Sequence, residues 1–357
     1  MSIPDEFILR AWHRGFTGFT SAQDPGTTAQ AKKLQPAALT AWAQEGILAP
    51  FHRPTDQTNM RFRNLYIYHL SANWTDFRQL NELLAQRPLT RCGSFDLSSR
   101  GWVYPKNDDF VHAVNGQWLV SLGVEQKLLP ATVIRQETQD RVAAIEAAQE
   151  RKIGRKEMRD LRDLVSTELL PKAFTRRRTT NAWVDTANGW LVIDAGSDAK
   201  AEEFLEVWLP SVGAIQLRPV QTQISPMAAM TGWLTSDEAP AGFTIDNDLE
   251  LRAAAAAQSA IRYVKHALDG NEIRQHITNG KVATKLGLTW NDKLSFVLTD
   301  KFQVKRLAFL DILNNESDQT VLDAEEQFDA DFALMAGELS RMIPDLLAAL
   351  GGEPKPT

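Results

Sequence analysis

Apolar and polar positions first fall into a clear pattern just after Met60. In RFRNLYIYHL the residues Phe62, Leu65, Ile67 and Tyr68 form a β-rich run that predicts a first strand. Three later stretches set an Asn-Gly pair beside such a run: AVNGQWLVSLG (Asn115-Gly116), DTANGWLVIDAG (Asn188-Gly189) and ITNGKVATKLGLTW (Asn279-Gly280). Asn-Gly readily takes the positive φ of a tight turn, so each pair is expected to join or precede antiparallel strands. The first two stretches share WLV and a following Gly, a short sign of a duplicated β-unit. The third leads into LTWNDKLSFVLTD, which predicts strand, turn and strand around Asn291-Asp292.

Helical patterns separate these runs. The longest covers residues 135–170; AKAEEFLEVWL predicts another, and ALMAGELSRMIPDLLAAL predicts a closing helix with a break near Pro344 and an end at Gly351-Gly352. Before Met60 the single expected element is a short helix in PAALTAWAQEG, with Pro36 at its start and Gly46 at its end. The fold class is α+β with mostly antiparallel sheets. Residues 1–59 carry five basic and five acidic residues and no pattern tying them to a core, so they are expected to be an extension ahead of a natural start at Met60, or else a flexible arm.

Composition narrows the class of protein. The chain has 357 residues, 43% hydrophobic and 24% charged, with ten Trp, ordinary values for a globular protein with a substantial core. MSIPDEFIL has acids where a signal peptide has bases, and no apolar run is long enough to span a bilayer. A soluble, cytoplasmic protein is expected, without a membrane partner. A lone cysteine, Cys92, excludes an internal disulfide framework and a Cys-rich zinc site, and is expected to be a buried structural thiol.

Catalytic signatures are missing. Gly280-Lys281 lacks the rest of a phosphate-binding loop, and there is no GxGxxG, HExxH or GxSxG. The six histidines show no ligand spacing and read as surface or packing residues. The one catalytic temptation is EEQFDADF, where Asp329 and Asp331 resemble a metal-binding DxD; two carboxylates at i and i+2 share a face on a strand but diverge on a helix. No catalytic residue, metal or cofactor is expected.

Charge gives the strongest signal. The formal net charge is −6, yet RKIGRKEMRDLRDLVSTELLPKAFTRRR (151–178) holds ten basic and four acidic residues, while 307–340 holds nine acids and no Lys or Arg. Arg151, Arg155, Arg159 and Arg162 lie on one face of a helix, with an incomplete apolar stripe from Val142 to Leu169 elsewhere on it. A helix of some thirty residues would reach roughly 45 Å and project from a compact body, unless Gly154 loosens it or divides it in two. Such an arginine row can track a phosphate backbone; alternatively it is a solvated face held by Lys156–Asp160 and Arg159–Asp163 pairs. Pro171 ends the helix near Leu170 and leaves Phe174 in a short connection among bases, where it either stacks on a base, anchors a protein contact or packs back on its own helix.

FRNLYIYHL (62–70), CGSFDLSSRGWV (92–103), LLPKAFTR (169–176), WVDTANG (183–189), GKVATKLGLTW (280–290), KRLAF (305–309) and FDADFALMAGEL (328–339) occur in the order and rough spacing of the recombination-associated protein RdgC family. The resemblance covers about residues 60–357. It implies a non-enzymatic, nucleoid-associated DNA-binding protein of the cytoplasm. It further implies two curved subunits paired into a ring-shaped homodimer around double-stranded DNA, with single strands as an additional ligand. Such a ring reads little sequence and, as an antagonist of RecA, limits its filaments in DNA recombination. Under it, residues 60–134 are the first part of a central α+β domain, 135–180 a projecting helical tip, 181–250 the second part of the central domain and 251–357 a C-terminal base region. Phe174, with Lys172 beside it, becomes the dimer contact that closes the ring. Arg155, Arg159, Arg176, Arg177, Arg178, Lys265, Lys281 and Lys285 become the DNA contacts; Val264 and His266 depart from the family's more basic pattern beside Lys265.

Two other readings remain open on the sequence. One is a metal-dependent nuclease or phosphoesterase using Asp329 and Asp331. The other is an interaction scaffold whose basic helix takes an acidic partner.

Overall fold

The computed structural model describes residues 60–71, 74, 76–213, 216–253, 259–266, 268, 270–310 and 323–354. The expected helix in PAALTAWAQEG and the reading of 1–59 as an extension fall outside them.

In chain order the elements are β1 (Leu65–Ser71), α1 (Phe77–Ala85), β2 (Ser98–Val103), β3 (Val111–Val114), β4 (Gln117–Leu128), α2 (Ala131–Gln149), α3 (Arg155–Leu169), a 3₁₀ turn (Leu170–Lys172), β5 (Phe174–Asp185), β6 (Trp190–Asp194), α4 (Asp198–Val212), β7 (Gln216–Pro219), α5 (Pro226–Ser236), β8 (Phe243–Ala253), β9 (Ala260–Tyr263), α6 (Gly270–Thr278), β10 (Lys281–Trp290), β11 (Leu294–Thr299), β12 (Val304–Phe309) and α7 (Ala324–Ala349). The fold is α+β, and the strands form one antiparallel sheet in the order β2-β4-β5-β6-β1-β12-β11-β10-β8-β9, with β3 on β4 and β7 on β1. Its two halves meet at a single register pair, Leu65 with Val304.

The short apolar runs of the sequence become strands buried on both faces. Leu119, Trp183, Val192 and Ile67 point into a core shared with β10, β11 and α7, whose Phe332, Met335, Leu339 and Ile343 cover it. Their neighbours Val120, Ala182, Leu191, Ile193 and Tyr66 point the other way, into a core closed by Leu80 and Leu84 of α1 and by Phe204 and Trp208 of α4. There Trp102 meets Phe204 and Trp208 edge-on, and its indole N–H donates to Ser211 Oγ at 2.9 Å. Gly101 is needed beside it, because a Cβ would lie 2.5 Å from the Pro88 carbonyl and the Leu89 nitrogen.

The Asn-Gly turns behave as expected, with one difference of kind. Asn115 and Gly116 both have positive φ (50° and 77°) and join β3 to β4; Gly189 (70°) turns β5 into β6. Asn279-Gly280 instead links α6 to β10, so there the left-handed glycine ends a helix. Asn291 and Asp292 make the expected turn between β10 and β11.

The long basic segment is not one thirty-residue helix. It divides, with Glu150 left-handed after α2 and Gly154 extended before α3. The two helices fold back on each other: Arg141 of α2 binds both Glu137 and Glu168, and Glu146 takes Lys152 and the Ile153 N–H in the connection. The closing helix is unbroken at Pro344. A mid-helix proline costs about 3 kcal/mol, but burying Met342, Ile343, Leu346 and Leu347 around it recovers about 1.5–3 kcal/mol for each side chain. A capping box starts this helix, Asp323 Oδ1 accepting from the Glu325 and Glu326 N–H groups at 2.9 and 2.8 Å. Asp323→Ala is expected to lower unfolding free energy by about 1 kcal/mol in urea titrations. No helix among the described residues is long and apolar enough to cross a membrane.

Candidate nucleic-acid interface

β4 and β5 pair along all twelve residues, from Gln117 with Asp185 to Leu128 with Phe174. Phe174 is therefore the first residue of a strand, not part of a loose connection. Pro171 stops α3 and the 3₁₀ turn delivers an extended Ala173, which lets pairing begin at once. Phe174 is 84% exposed, opposite a half-exposed Leu128. Lys172 beside it is also exposed. Below this end the buried Lys127 fixes the geometry: its ammonium donates to the carbonyls of Ser94 at 2.5 Å and Leu170 at 3.0 Å, a cation at the close of a helix.

Strand alternation divides the three consecutive arginines. Arg177 takes one face and donates to Glu125 at 3.3 Å; Arg178 takes the other and binds Glu203 of α4 at 2.5 Å. Burial pushes the Glu125 carboxyl up, but the Cys92 N–H, Thr175 and Arg177 outweigh it and hold it below the usual range. Arg176 is exposed, on the same face as Phe174, and holds no ion pair among the described residues. Arg155, Arg159 and Arg162 are exposed along α3, whereas Arg151 closes on Glu157 at 2.6 Å. Neither Lys156–Asp160 nor Arg159–Asp163 forms, so beyond Arg151 the row is not held by those pairs.

The other expected contacts lie on the far half of the sheet. Lys281 starts β10, and Lys265 follows β9 with φ 51° and its N–H directed at Asp248 at 3.4 Å. Lys285 is bound to Glu250 at 3.2 Å. Sequence reasoning missed Glu250 and its other partners, Arg252 and Arg262, each 2.7 Å from it. The available signal was DLELR in β8, where Asp248, Glu250 and Arg252 alternate with Leu249 and Leu251 and so share the face away from the core. Burial raises the Glu250 carboxyl, but hydrogen bonds from Arg252, Lys285 and Thr284 prevail and hold it at about 2.

The DxD residues separate, as the helix requires. Asp329 accepts from Lys106 at 2.7 Å and His112 at 2.8 Å, whereas Asp331 is buried against Arg61 at 3.1 Å. Among the described residues no three His, Cys, Asp or Glu side chains gather where they could share a metal ion. Cys92 is half-buried, less than expected; burial and the Glu125 charge raise its thiol, which donates to the Glu125 carbonyl at 3.1 Å.

A family model described as "Putative exonuclease, RdgC" matches residues 60–353. The recombination-associated protein RdgC of Dechloromonas aromatica (strain RCB) is 49% identical over 299 residues, 82% of this chain and 98% of the relative. Those of Janthinobacterium sp. (strain Marseille) and Cupriavidus pinatubonensis are 47% and 46% identical, over 82% and 83% of this chain and 99% and 100% of their own lengths. With the motif order running through β1, the Phe174 strand, the Asn188-Gly189 hairpin, β10 and α7, these matches give one answer: the chain belongs to the RdgC family of recombination-associated proteins.

Proposed function

We propose that this protein binds double-stranded DNA with little sequence preference, pairing with a second copy through the Phe174 end to close a ring around the duplex. In that role it restrains recombinase (RecA) filaments at the nucleoid, in the cytoplasm. The observation that carries the reading is Phe174 itself: a large aromatic, 84% exposed at the end of the twelve-residue β4–β5 ladder, beside exposed Lys172 and Arg176. An aromatic so placed is a natural anchor between proteins. Exposed cations on α3, β5 and the β8–β10 face supply phosphate contacts, which position a protein without reading bases.

The test is duplex binding across a salt series. Neutralising roughly six to ten phosphates gives a slope of log K against log salt of about −5 to −9. Changing Arg155, Arg159 and Arg176 together to Ala, all three exposed and without an ion pair among the described residues, is expected to flatten that slope. Nearly salt-independent binding by the parent chain would sink the mechanism. A metal-dependent nuclease using Asp329 and Asp331 is the second reading, and it takes its support from the wording of the family description. Both carboxylates are already engaged by cations. Magnesium-dependent cleavage that vanished in Asp329→Asn would nevertheless establish it.

A further inference from the structure

We infer that Glu250 assembles Arg252, Arg262 and Lys285 into a preorganised fork for a phosphodiester of a nucleic-acid backbone, an assignment that rests on the DNA-binding reading above. Glu250 lies in β8 with Arg262 of β9 and Lys285 of β10 as its register partners on either side, and Arg252 two residues along its own strand. All four therefore share one face of the sheet. The Glu250 side chain is 4% exposed, while those of Arg252, Arg262 and Lys285 are 53%, 62% and 43% exposed. The carboxylate lies at the floor and the cations stand around it.

The way the arginines are held is informative. Each reaches Glu250 through Nε, at 2.7 Å, one on Oε1 and the other on Oε2. That leaves the two terminal nitrogens of each guanidinium without a partner among the described residues. These nitrogens form the edge that recognises phosphate bidentately. Three cations against one carboxylate leave a local excess of two positive charges. Arg177, by contrast, lies against Glu125, and Arg178 shares Glu203 with Arg100, which also binds Glu206. Holding the side chains in place before binding removes much of the ordering cost that long cations otherwise meet.

Arg262 and Lys285 border an open hollow of about 180 Å³, also lined by Tyr263, Val264 and an Arg306–Asp248 pair at 3.3 Å, which adds no net charge. The cations stand half in solvent around this hollow and do not enclose it. That geometry suits a phosphate presented on an extended polymer better than a small free anion, which a site would surround.

The experiment uses the full chain and a mixed-sequence duplex, followed by fluorescence anisotropy over a sodium chloride series. Changing Arg252 and Arg262 together to Gln is expected to weaken binding and reduce the magnitude of the salt slope by about 1.8, about 0.9 for each phosphate no longer neutralised. Changing both to Lys keeps every charge, so the slope is expected to stay near the parental value, while loss of the bidentate guanidinium edge weakens binding at each salt concentration. A parental slope in the Gln pair overturns the site. Parental affinity in the Lys pair across the series shows diffuse charge instead of a fork and overturns it equally. If the Gln pair fails to fold, the Lys pair decides. Inorganic phosphate, titrated separately, assigns the site to a free anion if it binds in an arginine-dependent way while the DNA slope stays unchanged. Absence of salt-dependent duplex binding in the parent chain would remove the DNA-binding reading itself and is visible before any variant is made.

Discussion

Replacing Phe174 with Ser is expected to leave the stability of the chain within about 0.5 kcal/mol of the parent, because the side chain is 84% exposed and its removal opens no cavity. Self-association and DNA retention should respond quite differently. A central aromatic anchor contributes about 2 kcal/mol or more when it is buried between partners, which corresponds to a dimer about 30-fold weaker. Sedimentation across a concentration series reads the first effect. Release of labelled duplex after addition of excess competitor reads the second, since a ring that opens more often loses its DNA sooner. Leu128→Ser, across the ladder from Phe174 and only half exposed, should give a smaller change in the same direction. Unchanged association together with unchanged retention in Phe174→Ser would remove this residue from the interface.

What could be read in the sequence, and what could not, follows from the range of the interactions. Asn115-Gly116 and Asn291-Asp292 were legible as turns because the positive φ they adopt is a property of the residues themselves. Pro171 was legible as a stop for the same reason. The division of the basic segment was legible only as an option, since Gly154 permits a break but the Arg141–Glu168 contact that folds the helices together spans the break. The continuation of α7 through Pro344 was misread because the local penalty is visible and the compensating burial is not. In the candidate site, TRRRT looked like one cluster; once β5 forms, alternation sends Arg177 to one acid and Arg178 to another. Glu250 escaped notice altogether. Its cations come from three strands, and no spacing along the chain brings Arg262 and Lys285 to it before β9 and β10 have paired with β8.

That same carboxylate gives the chain an acid-sensitive element. In the folded protein the Glu250 carboxyl is held at about 2, against an ordinary value of 4.5, because the hydrogen bonds of Arg252, Lys285 and Thr284 outweigh burial. A difference of that size stabilises the folded state by on the order of 3 kcal/mol when the group is ionised. Since the folded value is the lower one, the contribution is fully present above about 4.5 and is lost as pH falls towards about 2, where both states are protonated. Glu250→Gln never has it. The variant is therefore expected to be less stable than the parent at pH 7 by on the order of 3 kcal/mol, and the gap should close as the pH of the urea titration is lowered through that window. Other carboxyls held low, such as Asp198 at about 2 through its bonds from Tyr66, Lys301 and Gln303, titrate in both proteins and cancel in the difference. A gap that stayed constant from pH 7 to pH 2 would mean that the substitution acts through packing and not through the ionised carboxylate. A gap near zero throughout would mean that the three cations find equal stabilisation in water, and that Glu250 does not hold the array together.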